Sequence, residues 1–213
     1  MKSVLSFIVL SIVSFQIYAQ DIPTSAQVTQ VQFDGSGCDA GSANAIITED
    51  LSFLSVLYDR FSAEIGNGTA NKKSKSIEKR CSIIVNVNVP QGWVFDFEQI
   101  DYRGFIEIPN KASVAYQLTT AEIEGGAAMG FDQQLFQGPR NENYMVSVKN
   151  KAPKILNKVS CLASGQNIKI RIKTTVGVRN LLAGIMKPAV KIIVDSTDAS
   201  FRQNLKLRWK RCI

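Results

Sequence analysis

Apolar residues recur at every second position in several stretches of this chain. Ile83, Val85, Val87 and Val89 mark one buried face through the two-residue period of a β-strand. Ile168, Ile170 and Ile172 do the same, with Lys169, Arg171 and Lys173 on the opposite face. Near the end of the chain Leu205, Leu207 and Trp209 face inward, while Lys206, Arg208 and Lys210 face water. Further strands are predicted over Val28–Phe33, Ser42–Ile47, Phe53–Phe61, Val94–Tyr102, Phe105–Ile108, Ser113–Thr119, Tyr144–Val148 and Val190–Val194. About ten short strands bounded by Gly, Pro, Asn and Asp define an all-β class. The expected architecture is a single β-sandwich, jelly-roll or Greek-key-like.

The breaks in the pattern carry information too. Pro90 has no amide hydrogen to donate and ends one strand, and Gly92 completes a turn. Trp93, Phe95 and Phe97 then alternate with Val94, Asp96 and Glu98, which gives an aromatic face and a partly acidic one. Phe53–Phe61 fits a helical spacing as well, but its Val, Phe and Tyr content favours a strand. Asn67–Ser76 reads as a polar, Lys-rich loop that contains the glycosylation sequon Asn67-Gly68-Thr69. Thr120–Arg140 is expected to be a long excursion, and a short helix is expected at Val178–Ile185. No internal repeat or linker divides the chain.

Residues 1–19 read as a secretory signal. Lys2 is the only charge, an apolar run extends from Val4 to Phe15, and Ala19 supplies a small residue at the cleavage position. That run is too short to span a bilayer comfortably, and no later segment is apolar enough to do so. The mature domain is therefore expected to be 20–213. Its four cysteines, Cys38, Cys81, Cys161 and Cys212, suggest two disulfides in an exported protein. Three connectivities are open, and Cys38–Cys81 with Cys161–Cys212 is the preferred one. The chain has no histidine. Ser-His-Asp triads, Cys-His pairs and His-ligated metals are thereby excluded. The pattern implies no cofactor and no metal. Asp34 and Asp39, and separately Asp195 and Asp198, read more simply as turn residues than as calcium ligands.

Charge is split along the chain. The net charge is +7, yet 20–137 holds 8 basic and 15 acidic residues, whereas 138–213 holds 16 basic and 3 acidic. One account is mutual solvation, with acidic strands of one half beside basic strands of the other. The other is an anion-binding surface for an envelope polymer, lipid head groups or nucleic acid. Nucleic acid is disfavoured because Trp209 is expected to face the core rather than to stack on bases.

The order of landmarks resembles a known family. Gly35-Ser36-Gly37-Cys38 is followed by Lys79-Arg80-Cys81, Pro90-Gln91-Gly92-Trp93 and Tyr102-Arg103-Gly104. Phe136-Gln137-Gly138-Pro139, Cys161 and Leu207-Arg208-Trp209-Lys210-Arg211-Cys212 come next. The series is similar to small secreted proteins of fungi and bacteria catalogued as a domain of unknown function. The resemblance covers nearly the whole mature chain. It implies a secreted β-rich domain with paired cysteines and brings no activity with it.

The candidate binding residues are Lys169, Arg171, Lys173, Lys206, Arg208 and Lys210 on the two basic stripes, together with Tyr102 and Arg103. Arg103 could clamp a carboxylate or phosphate with Tyr102 stacked beside it. The expected function is a secreted or envelope-associated, non-enzymatic protein that binds a surface polymer, a polyanion or a protein partner. Two alternatives stand beside it. One is a carbohydrate-active enzyme using carboxylates among Asp96, Glu98, Asp101 and Glu107. The other is a structural coat or matrix component.

Overall fold

The computed structural model describes residues 22–39, 41–124, 128–131, 133–150, 166–181, 188–194 and 202–212. The expected signal, Cys161, and Asp195 and Asp198 lie outside them. Regular structure among the described residues is entirely β. The strands are β1 (Gln27–Asp34), β2 (Ala43–Ile47), β3 (Phe53–Tyr58), β4 (Ser62–Ile65), β5 (Ser76–Val89), β6 (Trp93–Ile108), β7 (Ser113–Ile123), β8 (Ala128–Gly130), β9 (Gln134–Gln137), β10 (Arg140–Lys149), β11 (Gln166–Asn180), β12 (Val190–Ile193) and β13 (Arg202–Arg211).

They form two antiparallel sheets. In sheet A, β11 lies between β5 and β7, β1 lines the far edge of β5, and β8 and β9 share the far edge of β7. In sheet B, β6 pairs with β13 over Trp93–Tyr102 and with β12 over Phe105–Glu107, while β10 pairs with Gln99–Ile108. The overlaps place β13 and β12 end to end on one edge of β6, with β10 on the other. β3 and then β2 extend outward from β13, and β4 from β12.

The inward faces follow the sequence period. Ile83, Val85, Val87, Ile170, Ile172, Leu205 and Leu207 are buried in one continuous core. Trp209 is half-buried against Phe95 at 5.1 Å, and its Nε1 donates to Leu51 O at 2.8 Å. The turn after β5 closes as expected, with the Trp93 amide donating to Pro90 O at 3.2 Å.

Several expectations are corrected. Val94–Tyr102 and Phe105–Ile108 are not two strands but parts of one, β6, which runs unbroken through Arg103 and Gly104. Its register to β13 shifts between Lys206, opposite Gln99, and Leu207, opposite Phe97, so Glu98 is a bulge residue. A bulge adds one residue and reverses the parity of the strand. Phe95 and Phe97 are buried before it, and Ile100, Tyr102, Ile106 and Ile108 after it. Thr120–Arg140 is not a bare excursion, since it contains the end of β7 and also β8 and β9, which fold back along β7. Val178–Asn180 continue β11 as strand; 182–185 of the expected helix lie outside the described residues.

A polar belt crosses the core between the sheets. Gln203 Oε1 on β13 accepts from Tyr58 Oη at 3.1 Å and from Thr174 Oγ1 at 2.9 Å, and Gln203 Nε2 donates to Thr119 Oγ1 at 3.2 Å. Tyr144 Oη donates to Gln117 Oε1 at 2.7 Å. Tyr58, Gln203 and Tyr144 belong to sheet B; Thr119, Gln117 and Thr174 belong to sheet A. Burial pushes the Tyr58 and Tyr144 phenols up and takes that of Tyr102 to about 12.

Cys38 and Cys81 are bonded as preferred, tying the segment after β1 to β5 across a separation of 43 residues. The second expected bridge involves Cys161 and so lies outside the described residues.

Two stability measurements test this account. The double variant Cys38→Ala/Cys81→Ala should lose about 4 kcal/mol in chemical denaturation, the chain-entropy value for a loop of that length. A loss below about 1 kcal/mol would mean that the bridge does not restrain the unfolded chain in this way. Gln203→Leu removes three buried hydrogen bonds, leaving the Tyr58, Thr119 and Thr174 hydroxyls only the bonds they make through Thr174, and should cost about 2 kcal/mol or more. A neutral result would show that the belt contributes nothing net.

Candidate functional site

The two basic stripes lie on opposite outer faces of the molecule, one on each sheet. On sheet B two of the three stripe residues are neutralised by the neighbouring strand. Arg208 stands opposite Asp96 in the β13–β6 register, and its Nε donates to Asp96 Oδ1 at 2.8 Å while Nη2 donates to Oδ2. That bidentate bond holds the Arg208 guanidinium above its ordinary pKa. Lys206 pairs with Glu98 at 3.1 Å. Lys210 is exposed, and the Arg211 guanidinium lies 5.2 Å from the centre of the Trp93 ring. On β12, Lys191 pairs with Glu64 at 3.7 Å.

On sheet A the strand registers lay out the outer face row by row. Lys169 pairs with Glu124 at 3.4 Å. Arg171 stands between Ile84 and Glu122, and Lys173 between Ser82 and Thr120. The next row is Arg80, Thr175 and Leu118, and the one after it is Glu78, Gly177, Tyr116 and Leu135. Small residues in the middle rows leave a groove of about 650 Å³. Asp34 lines it at the β1 side, Gln133 at the β9 side, and Lys173 and Tyr116 along its length.

Tyr116 is tethered across this groove. Its Oη donates to Glu78 Oε2 at 2.5 Å, and Arg80 Nε donates to Glu78 Oε1 at 2.6 Å. Reaching from β7 to β5 takes the ring over β11 at Gly177. A Cβ there would lie 2.3 Å from Tyr116 Cζ, so this placement of the ring requires glycine beneath it. The bond from Tyr116 holds the Glu78 carboxyl below its ordinary value. Burial, then the same bond, pushes the Tyr116 phenol up to about 12.

The other predicted residues do not converge. Tyr102 is fully buried on the inner face of β6, whereas Arg103 alternates to the outer face, half-buried, with Nε lacking a hydrogen-bond partner among the described residues. A joint Tyr102–Arg103 clamp is therefore ruled out by the strand period. Gly104 is explained by packing, because a Cβ would meet Ile193 O at 2.3 Å and Tyr144 Oη at 2.6 Å. Asp96 and Glu98 are held by Arg208 and Lys206, and Asp101 accepts from Gln99 at 2.7 Å and Ser147 at 2.6 Å. None of these carboxylates, nor Glu107, reaches the groove on sheet A. Asp34 faces the groove while Asp39 lines a separate polar depression, so the two do not converge. Sequence reasoning missed Glu78, Arg80, Tyr116 and Leu135. The available signal was Gly177 inside an apolar strand pattern, a mark of close approach.

The described residues define an all-β structure of two sheets with an open groove on the outer face of sheet A. The chain belongs to the family described as Domain of unknown function (DUF4360), whose model matches residues 24–212. It is similar to an uncharacterized secreted protein of Arthroderma benhamiae, with 26% identity over 192 residues covering 89% of this chain and 73% of the relative. Among solved structures, that of PfGH50B aligns with 88% of the chain at 12% identity. The match spans 24% of that protein at a TM-score of 0.24. Among the described residues no helix is long and apolar enough to cross a membrane.

The Tyr116–Glu78 tether has a pH signature. Glu78 has its ordinary value in the unfolded chain and a lower one in the native state. Its contribution is complete above the ordinary value and is lost as pH falls through the native one. Melting temperature between about pH 6 and about pH 3 should therefore fall less steeply for Glu78→Gln than for the wild type. Parallel slopes would show that Tyr116 does not hold the carboxylate.

Proposed function

We propose that this protein is a secreted, non-enzymatic β-sandwich that holds an anionic surface polymer in the groove on the outer face of sheet A. On this reading the two sheets form a Greek-key or jelly-roll sandwich, and a second bridge joins Cys161 to Cys212. Secretion is supported by the relative described as secreted and by the leader-like first 19 residues.

The observation that carries the proposal is the state of Lys173. Lys206, Arg208, Lys191 and Lys169 each have a carboxylate partner. Arg80, in the groove, is tied to Glu78. Lys173 projects into the same groove with no ion pair among the described residues. An exposed ammonium set among hydroxyls and an amide can gain a partner without breaking an internal one. The groove floor is built from strands, which fixes these groups before anything binds.

The test is binding to immobilised polygalacturonate and long-chain polyphosphate at low salt. Lys173→Ala should weaken binding to both about fivefold, the value of an ion contact of ~1 kcal/mol. Lys206→Ala, on the opposite face, should bind like the wild type. Binding should disappear near 1 M salt, where the screening length is about 3 Å. Failure to bind either polymer, or equal losses in the two variants, would remove the proposal.

A further inference from the structure

We infer that the groove contains an extended subsite for an acidic polysaccharide, with one sugar ring stacked on Tyr116 and the carboxylate of a further ring along the chain on Lys173. The inference rests on the polymer-binding reading above and narrows it to a polysaccharide bearing widely spaced carboxylates.

The first ground is the aromatic platform. Tyr116 is half-buried, lies over Gly177, and has its hydroxyl fixed by Glu78. The side of the ring away from Gly177 is the side available to a ligand. Leu135 stands next to Tyr116 in the β7–β9 register and is 64% exposed. Together with Leu118 they make an apolar step beside the polar residues of the groove. An aromatic ring of this kind is an amphipathic contact surface that costs little entropy to order, and here the tether has already ordered it.

The second ground is the arrangement of charge. Of the two cations that line the groove, Arg80 and Lys173, only Lys173 has no carboxylate partner among the described residues, but Glu78 and Asp34 line the same groove. A densely charged chain, such as polyphosphate or nucleic acid, would bring several negative groups against these two carboxylates. A polymer with one carboxylate per ring can place that group on Lys173 and turn hydroxyls toward Glu78 and Asp34, which accept hydrogen bonds. Thr120, Thr175 and Gln133 add hydroxyl and amide partners. Lys173 and Gly177 are four residues apart on β11, about 13 Å of strand. That is room for a short run of rings and not for one small ion.

The experiment compares Tyr116→Ala, Tyr116→Phe and Lys173→Ala on polygalacturonate and on long-chain polyphosphate. Near-ultraviolet circular dichroism confirms that each variant is folded. Wild-type protein should bind polygalacturonate more tightly than polyphosphate. Tyr116→Ala should weaken polygalacturonate binding about tenfold and leave residual polyphosphate binding unchanged. Tyr116→Phe keeps the ring but loses the tether and should fall between the two, about threefold weaker than the wild type. Three results each overturn the subsite while leaving polymer binding intact. They are equal affinity for the two polymers, a Tyr116→Ala protein that binds polygalacturonate normally while Lys173→Ala does not, and a Tyr116→Phe protein as weak as Tyr116→Ala. Absence of binding to both polymers overturns the subsite together with the reading beneath it.

Discussion

Glu98 is the unmatched residue of β6, and the organisation of sheet B depends on it. β6 runs 16 residues and is bordered by β13, β12 and β10. A strand that long cannot keep both ends of its apolar pattern inward unless the pattern itself is continuous. Here it is not, because Phe95 and Phe97 occupy one parity and Ile100, Tyr102, Ile106 and Ile108 the other. Without the bulge, one half of the strand would present these side chains to water. The extra residue leaves the adjacent Glu98 and Gln99 both on the outer face, where Glu98 meets Lys206. β13 keeps its own alternation throughout, so the parity change costs the neighbouring strand nothing.

The same cross-strand logic accounts for the division of charge along the chain. Carboxylates on β4 and β6, with Glu124 at the end of β7, come from the acidic part of the sequence; their partners on β12, β13 and β11 come from the basic part. Strands that are remote in sequence are neighbours in the sheets, so opposite charges directly opposed favour the native pairing and penalise like-with-like alternatives. Exposed pairs of this kind are worth little individually. Among the described residues, these pairs neutralise four cations of the basic part within the sheets. Lys173, by contrast, sits beside Ser82 and Thr120 instead of a carboxylate.

How much of this was legible in the sequence depended on range. Alternation within one strand correctly assigned the inner faces of β5, β11 and β13, since each is a local pattern. The join in β6 was misread because Tyr102-Arg103-Gly104 looks like a break. Gly104 is there to admit the Tyr144 ring from β10, a contact made 40 residues away and invisible locally. The adjacent polar pair Glu98-Gln99 was the trace of the bulge. β8 and β9 were missed because three and four residues give too little period to read. The groove was the least legible feature. Its residues come from β1, β5, β7 and β11, and the registers that align them are fixed by the whole sheet. Lys173 was identified as part of a basic stripe, but nothing local distinguished it from Lys169, which has a partner.

The position of the groove also bears on how it is held. Its floor consists of central strands whose backbone groups are hydrogen-bonded on both edges, which gives side chains a more fixed origin than loops do. Its β1 wall is fixed by the Cys38–Cys81 bridge and by the Gly37 amide donating to Arg80 O at 2.8 Å. Cys81 lies between Arg80 and Ser82, both of which line the groove, so the bridge sits directly beneath that wall. Across the floor, the Tyr116–Glu78–Arg80 chain joins β7 to β5 over β11. A ligand entering here would meet side chains already restrained by a covalent bond on one side and two charge-assisted hydrogen bonds on the other. Less of the interaction energy would then be spent on ordering the protein, which matters most for a ligand held by one cation and one ring.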